Sequence, residues 1–230
     1  GLVVPDRQGD MVNWDSGCVL GSGLSGMDTI GEVLVPQINA GRVRRMGSSM
    51  VEQTMASAIS AKLSGILALG NQVTSNSSAC NTGTEAIANC FHRIQAGLAE
   101  KMLGGGSESS SPYVWGGFDA MRVLNSDSND NPEKASRPMS SSAGGFVPGS
   151  GCGVLLLESL ESATNRNARI YAEVLTAEIN CGGHRMGGSM TAPNSTSVIR
   201  CIRGALAAAG IKPDDVDVIN GHLTATMADP

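Results

Sequence analysis

Thirty of the 230 residues are glycine, and the most informative of them stand where short apolar runs stop. Ser16-Gly17-Cys18-Val19-Leu20 runs into Gly21-Ser22-Gly23, residues 100–103 run into Gly104-Gly105-Gly106, and residues 216–219 deliver Asn220-Gly221-His222. Each run has the length of a short strand, and glycine at its end allows another backbone to approach closely. Helical patterns alternate with these runs. Residues 27–40 can be helical, and 51–69 read as a helix with one small-residue face, broken near Gly65. After Cys80, Ile87, Phe91, Ile94 and Leu98 recur at 4, 3 and 4 positions, close to the helical period. Residues 195–209 form an amphipathic helix stopped by Gly210 and Pro213. Strands alternating with helices predict an α/β layered sheet, in which ligands bind beyond the carboxyl ends of strands. The run 153–158 is continuously apolar, which predicts burial on both faces. Residues 170–179 alternate as a further strand would, and 125–138 form a solvated loop.

Composition excludes several function classes. A net charge of −5 argues against a nucleic-acid groove or an anionic membrane surface, and 3% aromatics leave no platform for stacked bases. No apolar run approaches the ~18 residues a membrane span needs, and no signal-peptide pattern stands at the start. The six cysteines have no disulfide-scaffold spacing, so reduced thiols in a cytoplasmic protein are expected. Cys181-Gly182-Gly183-His184 resembles half of a zinc site, but no second pair accompanies it, and no metal is expected.

Gly21-Ser22-Gly23-Leu24-Ser25-Gly26 spells the dinucleotide fingerprint G-x-G-x-x-G. That fingerprint requires a second strand ending in an acidic residue about 20 positions on. Here the corresponding stretch is Arg42-Val43-Arg44-Arg45-Met46-Gly47, with neither strand pattern nor terminal carboxylate. A structural glycine turn is the better reading, and a nucleotide-binding oxidoreductase rests on this turn alone.

Ser77-Ser78-Ala79-Cys80-Asn81-Thr82-Gly83 places a thiol at the junction of a small-residue run and a helix. Asn81 and Thr82 can cap that helix, and Glu85, three residues after Thr82, completes a capping-box pattern. The partial positive charge of a helix N-terminus favours thiolate, the nucleophilic form. An arbitrary cysteine is more often a buried structural residue; the small neighbours of Cys80 instead leave room for a substrate. Of the three histidines, His92 lies on the helix after Cys80, about three turns away, and reads as surface or packing. His184 lies in a glycine-rich loop. His222 follows a strand run and precedes Leu223-Thr224-Ala225-Thr226, where neither a helix nor a strand face accounts for it.

In order along the chain, these motifs resemble those of the β-ketoacyl synthases, the decarboxylating condensing enzymes of fatty-acid and polyketide synthesis. Gly21-Ser22-Gly23 resembles the early glycine turn, Ser78-Ala79-Cys80 the nucleophile motif, and Gly104-Gly105-Gly106-Ser107-Glu108 the strand end that follows. Ala135-Ser136-Arg137-Pro138 and the stretch from Gly145-Phe146-Val147-Pro148 to Gly153 resemble the long family signature. Asn220-Gly221-His222-Leu223-Thr224-Ala225-Thr226 resembles the first histidine motif.

The resemblance implies an α/β thiolase-like layered fold (α-β-α-β-α), incomplete at both ends. Residues 1–169 would be the N-terminal half with the nucleophile, and 170–230 the start of the C-terminal half. It also implies that Cys80 takes an acyl group from the phosphopantetheine thioester of an acyl carrier protein. An enolate formed by decarboxylating a malonyl thioester would then attack the acyl-cysteine. His222 would donate to the malonyl thioester oxygen, and the Cys80 N–H would form part of the acyl oxyanion hole. Thr224 and Thr226 would hydrogen-bond the pantetheine arm, and Phe118 and Phe146 would stand near the acyl pocket and its gate. No cofactor beyond the carrier's phosphopantetheine is implied, and a homodimer is. A thiolase-type acyltransferase and a non-catalytic chain-length-factor-like partner are the alternatives; Cys80 speaks against the second.

Several positions depart from the family pattern. Leu223 stands where glycine is usual, Ala143-Gly144 replace an Arg-Asp pair, and Ser150 replaces an acid. The chain ends eight residues after His222, with no counterpart of the family's downstream lysine, second histidine and closing Gly-Phe-Gly-type loop. The expectation is a partial chain that self-acylates at Cys80 while condensing poorly.

Overall fold

The structure is a computed structural model describing residues 2–226 except 190 and 193. The chain divides into two units, residues 1–114 with 149–173, and residues 115–148 with 174–230.

The first unit is built on a four-stranded sheet of order β2-β1-β3-β4. Strand β1 (Ser16–Gly21) lies parallel to both β2 (Val73–Thr74) and β3 (Lys101–Glu108), and β4 (Gly151–Glu158) runs antiparallel to β3. All six residues of β1 are buried, as befits a central parallel strand covered on both faces. Its side chains alternate between two cores. Val19 packs with Met102, Leu157, Ala86 and Cys90 on one side, and Cys18 and Leu20 pack with Leu69 on the other.

Between the strands the helices are short. A π-helical turn (Thr29–Leu34) runs without a break into α1 (Val35–Asn39), so the expected helix over 27–40 is present, and Pro36 lies inside it, where the ring removes one backbone donor. The expected single helix over 51–69 is two, α2 (Met50–Thr54) and α3 (Ala58–Leu67). The break falls at Met55, which is extended (φ −72°, ψ 134°), whereas Gly65 lies inside α3 with open space around it. Helix α4 (Thr82–Gln95) covers the Val19 face, and α3 contributes Ile59, Leu63 and Leu67 to the opposite core. α5 (Pro112–Ala120) follows β3, and α6 (Leu160–Asn165) follows β4.

Two strand expectations need correcting. β3 does not stop at Gly104 but continues through the glycines to Glu108. Its glycines admit the neighbours, since a Cβ on Gly104 would stand 3.0 Å from both Cys90 Sγ and Ile87 Cα. β4 is not buried on both faces: residues 151–156 are exposed and only Leu157 is buried. Among the described residues β4 is an edge strand with one neighbour, and its apolar run therefore faces solvent.

In the second unit, helix α7 (Ser195–Ala209) has ends that its sequence dictates. The Asn194 side chain accepts from the Ser197 N–H at 2.7 Å, and Gly210 ends the helix in the left-handed region at φ +69°. The strands expected at 170–179 and 216–219 have no ladder among the described residues. An alternating pattern supplies a face, but only a hydrogen-bonded neighbour makes a strand. No helix among the described residues is long and apolar enough to cross a membrane.

Candidate active site

Cys80 stands two residues before α4, where the carboxyl ends of β1 and β3 meet the helix start. Ala79 adopts φ +50°, a left-handed conformation rare for a residue with a side chain, and so turns the chain sharply just before the thiol. The capping box expected of Thr82 and Glu85 does not form. Asn81 is the N-cap residue without a side-chain cap bond, and its amide instead donates to Glu85 Oε1 at 3.1 Å. The Thr82 hydroxyl is taken up by the loop itself. It accepts from the Ser78 N–H at 2.8 Å and donates to the Ala79 carbonyl at 2.6 Å, while Asn76 Nδ2 donates to the Thr82 carbonyl at 2.9 Å. Loop 76–82 is thereby closed on its own polar groups, leaving Cys80 exposed.

Two of the other cysteines show what a structural thiol looks like in this chain, whereas Cys152 and Cys181 are exposed. Cys18 and Cys90 are buried in the two cores; burial pushes both thiols up, Cys90 to about 11. They are protonated at neutral pH, and the structural reading of a cysteine belongs to them.

The G-x-G-x-x-G segment serves as a turn beneath the loop. A Cβ on Gly21 would overlap Thr82 Cγ2 and stand 2.6 Å from the Asn76 carbonyl, and one on Gly26 (φ +66°) would meet the Gln53 carbonyl at 2.6 Å. The Ser22 hydroxyl donates to Glu108 Oε1 at 2.9 Å, and the Gly23 N–H donates to Glu108 Oε2 at 2.7 Å. Sequence reading placed Glu108 only within a glycine-rich strand end; its pairing with a turn 85 residues earlier has no local signal.

The remaining expected residues lie in the second unit. Phe118 and Phe146 meet edge to face, with ring centroids 5.0 Å apart. Gly145 is at φ +110°, and its N–H donates to the Ala225 carbonyl at 2.8 Å. That bond ties the Gly145-Phe146 signature to the Thr224-Ala225-Thr226 segment. There the two threonine hydroxyls lie 3.0 Å apart, and Ala225 is buried at φ +60°. Asn125, which nothing in its loop singled out, organises the approach. Its amide donates to the Ala135 carbonyl at 3.1 Å, its side-chain oxygen accepts from the Ser128 N–H at 3.1 Å, and its backbone N–H donates to the Phe146 carbonyl at 3.0 Å. His222 is exposed, four residues before the end of the described chain. His92 is exposed on α4 beside Phe91, and His184 is exposed at φ +50°.

Among the described residues no cluster of three or more His, Cys, Asp or Glu could hold a metal ion. A polar cleft of about 600 Å³ lies at the start of β3, away from Gly106 and the Cys80 loop, lined by Asp15, Lys101, Glu161 and Arg166. Beside it Glu158 is held by Arg166 Nη2 at 2.6 Å, by the Ser162 hydroxyl at 2.8 Å and by Lys101 Nζ at 3.6 Å.

Comparison with known proteins gives one consistent family. Residues 5–163 match the family described as Beta-ketoacyl synthase, N-terminal domain, and residues 171–229 match Beta-ketoacyl synthase, C-terminal domain. The chain is 37% identical over 214 residues to the chloroplastic 3-oxoacyl-[acyl-carrier-protein] synthase I of Arabidopsis thaliana, covering 93% of this chain and 44% of the relative. It is 35% identical to 3-oxoacyl-[acyl-carrier-protein] synthase 2 of Rhizobium meliloti (strain 1021), covering 98% of this chain and 52% of the relative. Among solved structures, a beta-ketoacyl synthase from Burkholderia phymatum STM815 superimposes with a TM-score of 0.86 at 27% identity, over 96% of this chain and 53% of that one. A type II polyketide ketosynthase, solved in complex with its acyl-carrier protein, gives a TM-score of 0.85 at 28% identity, over 96% and 55% of the two chains. The chain thus spans about half the length of the relatives it matches.

Proposed function

Since the chain belongs to the β-ketoacyl synthase family, we propose that it carries the acyl-accepting part of a decarboxylative Claisen condensation. One observation supports this above the others: an exposed cysteine directly after a left-handed residue, in a self-closed loop that begins a helix at the end of a buried parallel strand. In this reading the Cys80 thiolate attacks the carbonyl of an acyl thioester borne on an acyl carrier protein. The phosphopantetheine thiol leaves, and the acyl group remains on sulfur. A malonyl thioester then loses carbon dioxide, and the resulting enolate carbon attacks the acyl-cysteine carbonyl. Cys80 departs as thiolate, releasing the β-ketoacyl thioester. His222 donates to the malonyl thioester oxygen as charge builds there, a role commonly worth about 10²–10³ in rate. Thr224 and Thr226 hold the pantetheine arm, and Phe118 and Phe146 border the acyl chain.

The carrier protein as partner draws support from the polyketide relative solved with its own carrier. A second copy of the chain is the proposed neighbour of β4, whose exposed Val154, Leu155 and Leu156 form an apolar edge. Sedimentation of Leu155→Glu beside the parent tests it: the parent sediments as a dimer and the variant as a monomer, and a monomeric parent removes the dimer.

The central test is incubation with an acyl-carrier thioester followed by intact-mass measurement. The parent gains one acyl group and Cys80→Ala gains none. Equal labelling of the two removes Cys80 from the chemistry.

A further inference from the structure

The bonds that hold the nucleophile loop extend beyond the loop itself. At the carboxyl end of β3, Glu108 turns its carboxylate toward the turn that follows β1. Oε1 accepts from the Ser22 hydroxyl at 2.9 Å and from the Leu24 N–H at 3.4 Å, and Oε2 accepts from the Gly23 N–H at 2.7 Å. Three donors from consecutive residues converge on one ionisable group, and hydrogen bonds to a charged acceptor are the stronger kind. Ser22 is buried, and a Cβ on Gly23 would come within 2.9 Å of Glu108 Oε2. The clamped turn in its turn supports the cysteine loop. The Gly23 carbonyl accepts from the Ser77 hydroxyl at 3.4 Å, and Gly21 lies so close to Asn76 and Thr82 that no side chain fits between.

We propose that Glu108 is a positioning residue for Cys80: by clamping turn 22–24 it fixes the platform on which loop 76–82 holds the thiol at the start of α4. This rests on reading Cys80 as the nucleophile, but its test needs no acyl chemistry. The chain carries its own reference thiol, since Cys181 is exposed in the other unit.

The measurement is the rate of iodoacetamide alkylation at Cys80 divided by that at Cys181, read by peptide mass on the full chain. Glu108→Ala frees the turn, and the ratio falls about two- to fivefold as the thiol leaves the helix N-terminus. Glu108→Gln restores most of it, because the amide oxygen still accepts from the Gly23 N–H and its NH₂ can donate to the Ser22 oxygen. A ratio unchanged or raised in Glu108→Ala at unchanged melting temperature overturns the proposal, as does a Glu108→Gln variant as impaired as Glu108→Ala. Should Glu108→Ala fail to fold, Ser22→Ala removes one donor alone; a smaller fall in the ratio supports the clamp, and no fall overturns it. If the parent is not acylated at Cys80, the condensing-enzyme reading fails while the alkylation ratio still decides the role of Glu108.

Discussion

The two stretches that carry the site motifs are built in opposite ways. Loop 76–82 is fastened at several points along its length: the Thr82 hydroxyl bonds on both sides, Asn76 Nδ2 holds the Thr82 carbonyl, and Gly21 leaves no gap beneath. Stretch 216–226 is fastened near its ends: at the start, the Val216 N–H donates to the Pro213 carbonyl at 3.2 Å. Its Thr224–Thr226 end is tied to Gly145, whereas Val218 and Ile219 are 81% and 86% exposed and pair with no strand among the described residues. The role proposed for Cys80 calls for one fixed position, and rigid surroundings provide that. The difference also has an energetic meaning, since stability is distributed unevenly and follows packing and satisfied hydrogen bonds.

Matched glycine substitutions break this comparison most forcefully. Gly21→Ala must push its Cβ into Thr82 and the Asn76 backbone, and overpacking of this kind costs about 3 kcal/mol. Gly221→Ala meets the Leu223 side chain at 3.4 Å and beyond, an ordinary contact, and should change stability by less than about 0.5 kcal/mol. Denaturant melts of both variants check it; equal losses would mean the two stretches are equally constrained.

A second pair sharpens it. Thr82→Val deletes a hydroxyl that is both donor and acceptor and strands the Ser78 N–H, with an expected loss of about 2 kcal/mol. Thr226→Val disturbs a half-buried hydroxyl pair and should cost less than Thr82→Val in the same melts. At α7, Asn194→Ala removes the cap to the Ser197 N–H together with the bonds its buried amide donates to the Gly182 and Arg185 carbonyls, and should cost about 2 kcal/mol.

The same contrast explains what the sequence disclosed. β1, α4 and α7 were legible because their signals are local, namely an apolar run, a helical period and a stop glycine. The exposed position of Cys80 just before α4 was legible because its neighbours are small. Burial of β4 and ladders for 170–179 and 216–219 were not, because a periodic pattern says which side is apolar and not what covers it. Tertiary hydrogen bonding was hidden for the same reason. The Thr82 hydroxyl looked like a cap but closes the loop instead, and the Glu108 clamp joins residues 85 apart.

A last effect is confined to acid and belongs to the sheet unit alone. The Arg166 guanidinium, helped by the Ser162 hydroxyl and Lys101, holds the Glu158 carboxyl down from 4.5 to about 2 against the opposing effect of burial. A carboxyl depressed in the folded state binds protons more readily when unfolded, so stability falls as pH falls. The contribution is present in full above about pH 4.5 and is lost progressively toward pH 2. Melting temperatures measured from pH 6 to pH 2 should show a declining acid limb in the parent and a shallower one in Glu158→Gln, which has no carboxyl to protonate. Gly221→Ala changes no titratable group and should follow the parent limb throughout. Parallel limbs for the parent and Glu158→Gln would show that the ion pair at the far end of β3 contributes nothing to the sheet that carries Cys80.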